Sequence, residues 1–177
     1  MNPLPTPTDV PEEDFLRLDR QICFSLNAAS RAFGSVYRVL LKDLGLTYPQ
    51  YLVMLVLWEH GEVSVKSLSA QLRLDSGTLS PLLKRLEAAG LVRRERSAQD
   101  ERSVQVRLTE AGGQLRERAL RVPRRIAAAA GFDAAEAAEL RARLDKLTQA
   151  LDAAVADEAA LLGGDGTALL GREESAP

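Results

Sequence analysis

The apolar positions of the chain recur with two different periods, and these predict its elements. From about Glu12, the residues Leu18, Ile22, Leu26, Ala29, Phe33, Val36, Leu40 and Leu44 step by three or four, the spacing of a helix face. Gly45 closes that run as a C-terminal cap, while Gly34 inside it leaves one helix or two open. Thr47-Tyr48-Pro49-Gln50 reads as a helix start, with a Thr/Gln capping box and proline in the first turn. The run from Tyr51 to Trp58 is apolar almost all round, as a helix at the centre of a fold should be. A short helix with Val65, Leu68 and Leu72 inward follows Gly61. Asp75-Ser76-Gly77-Thr78 then offers N-caps to a helix whose inner stripe is Leu79, Leu82, Leu83 and Leu86.

Beyond Gly90 the period changes to two. Val92 leads into Arg93, Arg94, Glu95 and Arg96; after a polar turn, Val104, Val106 and Leu108 alternate with Ser103, Gln105 and Arg107. This predicts a β-hairpin with a charged tip. Thr109 caps a further helix that Pro123 disturbs, and Asp133 with Glu136 forms a second capping box. The last helix carries Leu140, Leu144, Leu147, Leu151 and Val155 at coiled-coil-like spacing and ends at Gly163-Gly164. The order predicts a mainly α fold with a small β-wing: a winged helix-turn-helix flanked by N- and C-terminal dimerisation helices. The expected segments are a flexible arm (1–11), an N-terminal dimerisation region (12–45), the DNA-binding domain (46–108), C-terminal dimerisation helices (109–162) and a flexible tail (163–177).

Composition narrows the function. A chain of 177 residues, 46% hydrophobic and 27% charged, fits a soluble globular protein. No apolar stretch approaches a membrane span and the first residues do not resemble a signal peptide, so a cytoplasmic protein is expected. The single cysteine, Cys23, excludes an intrachain disulfide framework, and the single histidine, His60, leaves little for a metal centre or a His-paired nucleophile. No cofactor and no enzymatic activity are expected. The net charge of -2 is unevenly spread: residues 64 to 107 hold nine Lys/Arg against five acids. A basic island in an acidic chain fits a phosphate backbone as partner, or simply a solvated charged surface.

In a helix-turn-helix, the second helix enters the major groove N-terminus first. Here its outward face presents Ser76, Thr78, Ser80, Pro81, Lys84 and Arg85. Small groups at the front allow close approach to base edges; Lys84 and Arg85 are placed to reach phosphates or guanine acceptors. At the hairpin tip, Asp100 can hold the Arg102 guanidinium in a fixed orientation for a narrow minor groove, with Arg93, Arg94 and Arg96 along the backbone.

These residues carry a family resemblance. Leu74-Asp75-Ser76-Gly77-Thr78-Leu79-Ser80-Pro81-Leu82-Leu83-Lys84-Arg85-Leu86-Glu87, Gly90-Leu91-Val92, Asp100-Glu101-Arg102-Ser103 and Leu108-Thr109-Glu110-Ala111-Gly112 resemble the MarR family of winged-helix regulators. Cys23-Phe24, Ala28-Ala29-Ser30-Arg31 and the run Leu46 to Glu59 resemble its OhrR subgroup, the organic-hydroperoxide-sensing repressors of the one-cysteine type. The resemblance implies a homodimeric repressor on a pseudo-palindromic operator, released when its cysteine is oxidised. It also implies that Tyr37 and Tyr48 are the tyrosines that hydrogen-bond the reactive thiol. The position four after the cysteine, often aromatic in relatives, is Asn27.

On its own chemistry, a lone cysteine on the inner part of a helix is most often a small hydrophobe. Redox activity requires thiolate character, for which tyrosine hydroxyls are suitable donors. Cys23 and Tyr37, fourteen residues apart, share one helix face but stand ~21 Å apart along it, so a contact requires a second chain. With no second cysteine in the chain, an oxidised Cys23 is expected to end as a mixed disulfide with a small cellular thiol. Two alternatives remain at this point: a MarR-type repressor released by a small aromatic ligand with Cys23 structural, and a one-cysteine thiol peroxidase.

Overall fold

The computed structural model describes residues 14–96 and 103–164, with side chains to residue 157. The expected arm, the hairpin tip with Asp100 and Arg102, and most of the expected tail lie outside the described residues.

The first helix, α1, spans Ile22–Leu41. It begins ten residues later than the apolar spacing predicts, because the spacing runs on through a break. A 3-10 turn at Leu18–Arg20 comes first, and Gln21 behind it is extended (φ -84, ψ 109). The Gln21 side chain closes that turn by donating to the Phe15 carbonyl. Gly34 does not interrupt α1, which settles the one-or-two question in favour of one helix. Gly45, in the left-handed region at φ 67, ends the 3-10 turn Lys42–Leu44 that follows.

Helix α2 (Tyr48–His60) starts as expected: the Thr47 N–H donates to Gln50 Oε1 at 2.8 Å, with Pro49 in the first turn. It buries Tyr51, Val53, Met54 and Leu57, and the rest of the core packs around these. Each such side chain, taken fully out of water, stabilises the fold by about 1.5–3 kcal/mol. The partners are Leu41 of α1, Leu68 of α3 (Val65–Leu72), Leu79, Leu83 and Leu86 of α4 (Ser76–Ala88), and Val92 and Val106 of the wing. Between α3 and α4 the chain turns through Arg73, the one described non-glycine residue at positive φ (54).

The sheet has three antiparallel strands rather than the two expected. β1 (Glu62–Ser64) pairs with β3 (Val104–Leu108), which pairs with β2 (Val92–Arg96). A three-residue strand carries too little alternation to be seen in the sequence. It enters the sheet by register, Val63 opposite Val106. Thr109 caps α5 (Glu110–Ala119) by accepting from the Gly112 N–H, and α6 (Arg121–Ala130) follows, with Pro123 in its first turn.

Contacts divide the chain into two compact units, one to Ile126 and one from Ala127. In the second, Asp133 and Glu136 form the expected capping box at the start of α7 (Ala134–Gly164). Along α7, Leu140, Leu144, Leu151 and Val155 are 37–70% exposed. At the start of the first unit, Phe15, Leu16, Leu18, Ile22 and Phe24 are exposed as well. Among the described residues, no helix is long and apolar enough to cross a membrane.

Candidate nucleic-acid interface and thiol site

Helix α4 is built to present one face. Its N-cap Asp75 accepts from the Thr78 N–H at 2.8 Å and from the Thr78 hydroxyl at 2.9 Å, so it lies below the ordinary carboxylate range. Leu79, Leu82, Leu83 and Leu86 point into the core. Ser76, Thr78, Ser80, Pro81, Lys84 and Arg85 are all exposed, as the pattern predicts. Neither Lys84 nor Arg85 has an ion-pair partner among the described residues. Thr78 serves the cap as well as the surface. Pro81 is the sixth residue of α4, past the first turn, and its missing N–H leaves the Gly77 carbonyl without its helical donor.

The strand into the wing is less uniform than a row of phosphate contacts. Arg93 pairs with Glu95 (3.1 Å) and Arg107 with Glu62 (2.9 Å) on the outer face of the sheet. Arg94 points the other way, onto Glu87 of α4, with Nη2 2.6 Å from Oε2. Asp100 and Arg102 belong to the undescribed tip.

The thiol is not on the inner part of a helix. Cys23 is exposed, in the first turn of α1. The two tyrosines that arithmetic does not connect are neighbours: the rings of Tyr37 and Tyr48 lie 4.4 Å apart, and Tyr51 is 6.0 Å from Tyr37. Burial, reinforced by Tyr48 and Tyr51, pushes the Tyr37 hydroxyl up to about 12, so it stays protonated and able to donate at neutral pH. Because α1 is one unbroken helix, Cys23 stays ~21 Å along the axis from Tyr37 of the same chain. Cys23 and the tyrosine pair therefore do not meet within one chain.

Sequence reasoning missed a joint behind the tyrosines. Tyr51 packs edge-on to Trp58 at 6.2 Å, and the Trp58 indole N–H donates to the Gly112 carbonyl at 2.9 Å. Tyr51, Trp58, Leu55, Glu59, Arg116, Ala119, Leu120 and Pro123 also line an open pocket of about 410 Å³. Among the described residues, no cluster of side chains has the composition to hold a metal ion.

Comparison with known proteins agrees with this architecture. The family model described as transcriptional regulator SarA/Rot matches residues 35–118, which run from α1 to α5. The organic hydroperoxide resistance transcriptional regulator of Bacillus subtilis is 52% identical over 110 residues, 62% of this chain and 75% of that one. The chain belongs to the MarR family of winged-helix regulators. Within it, the chain belongs to the organic hydroperoxide resistance group. A second relative, the HTH-type transcriptional regulator TtmR of Methylorubrum extorquens, is 49% identical over 140 residues, 79% of this chain and 70% of that one. Overoxidised AbfR bound to DNA superposes with a TM-score of 0.66 at 37% identity, covering 80% of this chain and 98% of AbfR. This MarR-family chain is thus a transcriptional regulator and not an enzyme, which removes the thiol-peroxidase alternative.

Proposed function

We propose that the protein is a homodimeric, cytoplasmic transcriptional repressor that binds a pseudo-palindromic operator and releases it when organic hydroperoxide oxidises Cys23. The observation that carries this reading is the placement of the thiol. The chain's only cysteine is exposed at the N-terminus of α1, and the neighbouring rings of Tyr37, at the far end of α1, and Tyr48, in α2, are beyond its reach within one chain. A partner chain running antiparallel brings one thiol to the other's tyrosines and covers the exposed Ile22 and Phe24. The relative in Bacillus subtilis, named for organic hydroperoxide resistance, supports the choice of signal.

The chemistry is a two-electron oxidation. The Cys23 thiolate attacks the terminal peroxide oxygen, the O–O bond breaks, and an alcohol leaves after taking up one proton. The sulfenic acid then condenses with a small cellular thiol, forming a disulfide and releasing water. Added bulk in a packed helical interface typically costs ~1–3 kcal/mol, enough to shift the spacing of two α4 helices. For DNA, Ser76, Thr78, Ser80 and Pro81 face base edges, Lys84 and Arg85 reach phosphates or guanines, and Asp100 holds Arg102 for the minor groove.

The pocket of about 410 Å³ beside Trp58 favours a second reading, release by a small aromatic ligand with Cys23 structural. One titration separates them, using a duplex that the wild-type protein selects from a random-sequence pool. Cys23→Ser is expected to bind that duplex normally and to ignore cumene hydroperoxide, while Tyr37→Phe responds more slowly than wild type. Release of Cys23→Ser at the wild-type hydroperoxide concentration refutes the sensor assignment and leaves the ligand-gated reading.

A further inference from the structure

Strand β2 alternates like any strand, so Arg94 shares a face with Val92, which is 2% exposed in the core. Arg94 is thereby aimed at α4 and away from the outer face that Arg93, Glu95 and Arg107 occupy. Glu87, in the last turn of α4, receives it three times over. Glu87 Oε1 accepts from the Arg94 backbone N–H at 3.1 Å; Oε2 accepts from Nε at 3.0 Å and from Nη2 at 2.6 Å. β2 is an edge of the sheet, in the order β1-β3-β2, and Arg94 sits opposite Val106 of β3, so Glu87 also satisfies an edge-strand N–H. Side-chain exposures of 34% and 36% place the pair at the rim of the core. The Arg94 guanidinium and backbone N–H hold the Glu87 carboxyl below the usual carboxylate range.

We infer that Glu87 and Arg94 form a clamp that fixes the wing strand to the recognition helix, making Arg94 a positioning residue for DNA binding and not a phosphate contact. The inference rests on the DNA-binding reading above. Two elements must enter neighbouring grooves at a set distance, and the five residues 89–93 join the end of the recognition helix to Arg94. An ion pair with a third, backbone hydrogen bond ties them where the chain leaves α4.

The two roles for Arg94 predict opposite signs for one substitution. If Arg94 bound phosphate, Glu87→Gln would free it and remove a negative charge near DNA, so affinity would rise. If the pair is a clamp, Glu87→Gln loosens the wing and affinity falls. The test uses the full-length chain, the duplex selected by wild type, and titrations across several salt concentrations. We expect Glu87→Gln and Arg94→Gln each to weaken binding by about three- to tenfold. The double variant should be no weaker than either single one, with the salt slope equal to wild type throughout. In the free protein, amide exchange in β2 should quicken in Glu87→Gln. Tighter binding by Glu87→Gln, or a slope reduced by ~0.9 in Arg94→Gln, overturns the clamp and restores the phosphate contact. Unchanged β2 exchange in the free protein overturns it independently of DNA. Failure of the functional reading looks different: the wild type then selects no duplex, or hydroperoxide leaves it bound, while exchange still decides the clamp.

Discussion

Adjacent glycines in α5 should respond to alanine in opposite directions. A Cβ on Gly112 would lie 2.0 Å from the Leu91 carbonyl oxygen, 3.0 Å from its carbon and 3.3 Å from Leu108 Cδ2. The first two atoms are backbone, so no rotamer change relieves the contact; α5 and the turn after α4 must part by at least about 1 Å to reach even a tight approach. That opening takes the Thr109 N–H to Leu91 carbonyl bond (3.0 Å) beyond hydrogen-bonding range and strains the Thr109 hydroxyl to Gly90 carbonyl bond (2.6 Å). Two hydrogen bonds at about 1 kcal/mol each, with ~1–3 kcal/mol of overpacking, give ~3–5 kcal/mol. At ~2–4 °C per kcal/mol for a chain of this size, Tm should fall by roughly 6–20 °C. Gly113, exposed and with nothing within 4 Å of its own Cβ, should gain from alanine's helix propensity by up to about 1 kcal/mol. Thermal unfolding followed by circular dichroism measures both. A Gly112→Ala Tm within 2 °C of wild type, on the order of 1 kcal/mol or less, would refute the close-approach argument.

At the DNA surface, Arg102→Ala should weaken binding to the selected duplex while leaving Tm unchanged, and Lys84→Ala should reduce the salt slope by ~0.9 for one phosphate lost; unchanged affinity in Arg102→Ala removes the wing tip from the mechanism. Hydrogen bonds from the Thr78 N–H and hydroxyl lower the Asp75 carboxyl in the folded state, so its capping is fully present above the unfolded value near pH ~4 and is lost as pH falls through the folded one. Asp75→Asn caps without titrating, so the Tm difference from wild type should be constant above roughly pH 5 and change below pH ~4; parallel curves down to pH ~3 would show that the cap does not titrate with folding.

What the sequence disclosed follows from how local each determinant is. The boundaries of α2, α4 and α5 were legible because Thr47, Asp75 and Thr109 cap within three residues of their own position. The start of α1 was not, since Leu18 and Ile22 keep helical spacing across the extended Gln21. β1 depends on pairing with a strand more than forty residues away, which a three-residue segment cannot announce. The exposed residues of α4 were legible as the complement of its leucine stripe. Tyr37 beside Tyr48 was not, because it depends on how α1 packs on α2. A signal for Arg94 was present and overlooked: it has the same parity as the buried Val92, so it belongs to the inner face.

The joint at Gly112 connects the tyrosine pair to the end of α4 through ordinary packing. Tyr37 and Tyr48 pack together, Tyr37 packs on Tyr51, Tyr51 on Trp58, and Trp58 donates to Gly112. Gly112 in turn donates to Thr109, whose hydroxyl donates to the Gly90 carbonyl just past the recognition helix. The path crosses three junctions between elements: α1 to α2, α2 to α5, and α5 to the end of α4. In the proposed dimer, a displacement of the tyrosines by bulk on a partner's Cys23 would be met by close-packed rings and hydrogen bonds, which give little before they break. Gly112 lacks a Cβ at the tightest point of this path, so α5 can seat directly on the Leu91 carbonyl. A side chain there would push α5 away from the end of α4 and break the path between that end and the tyrosines.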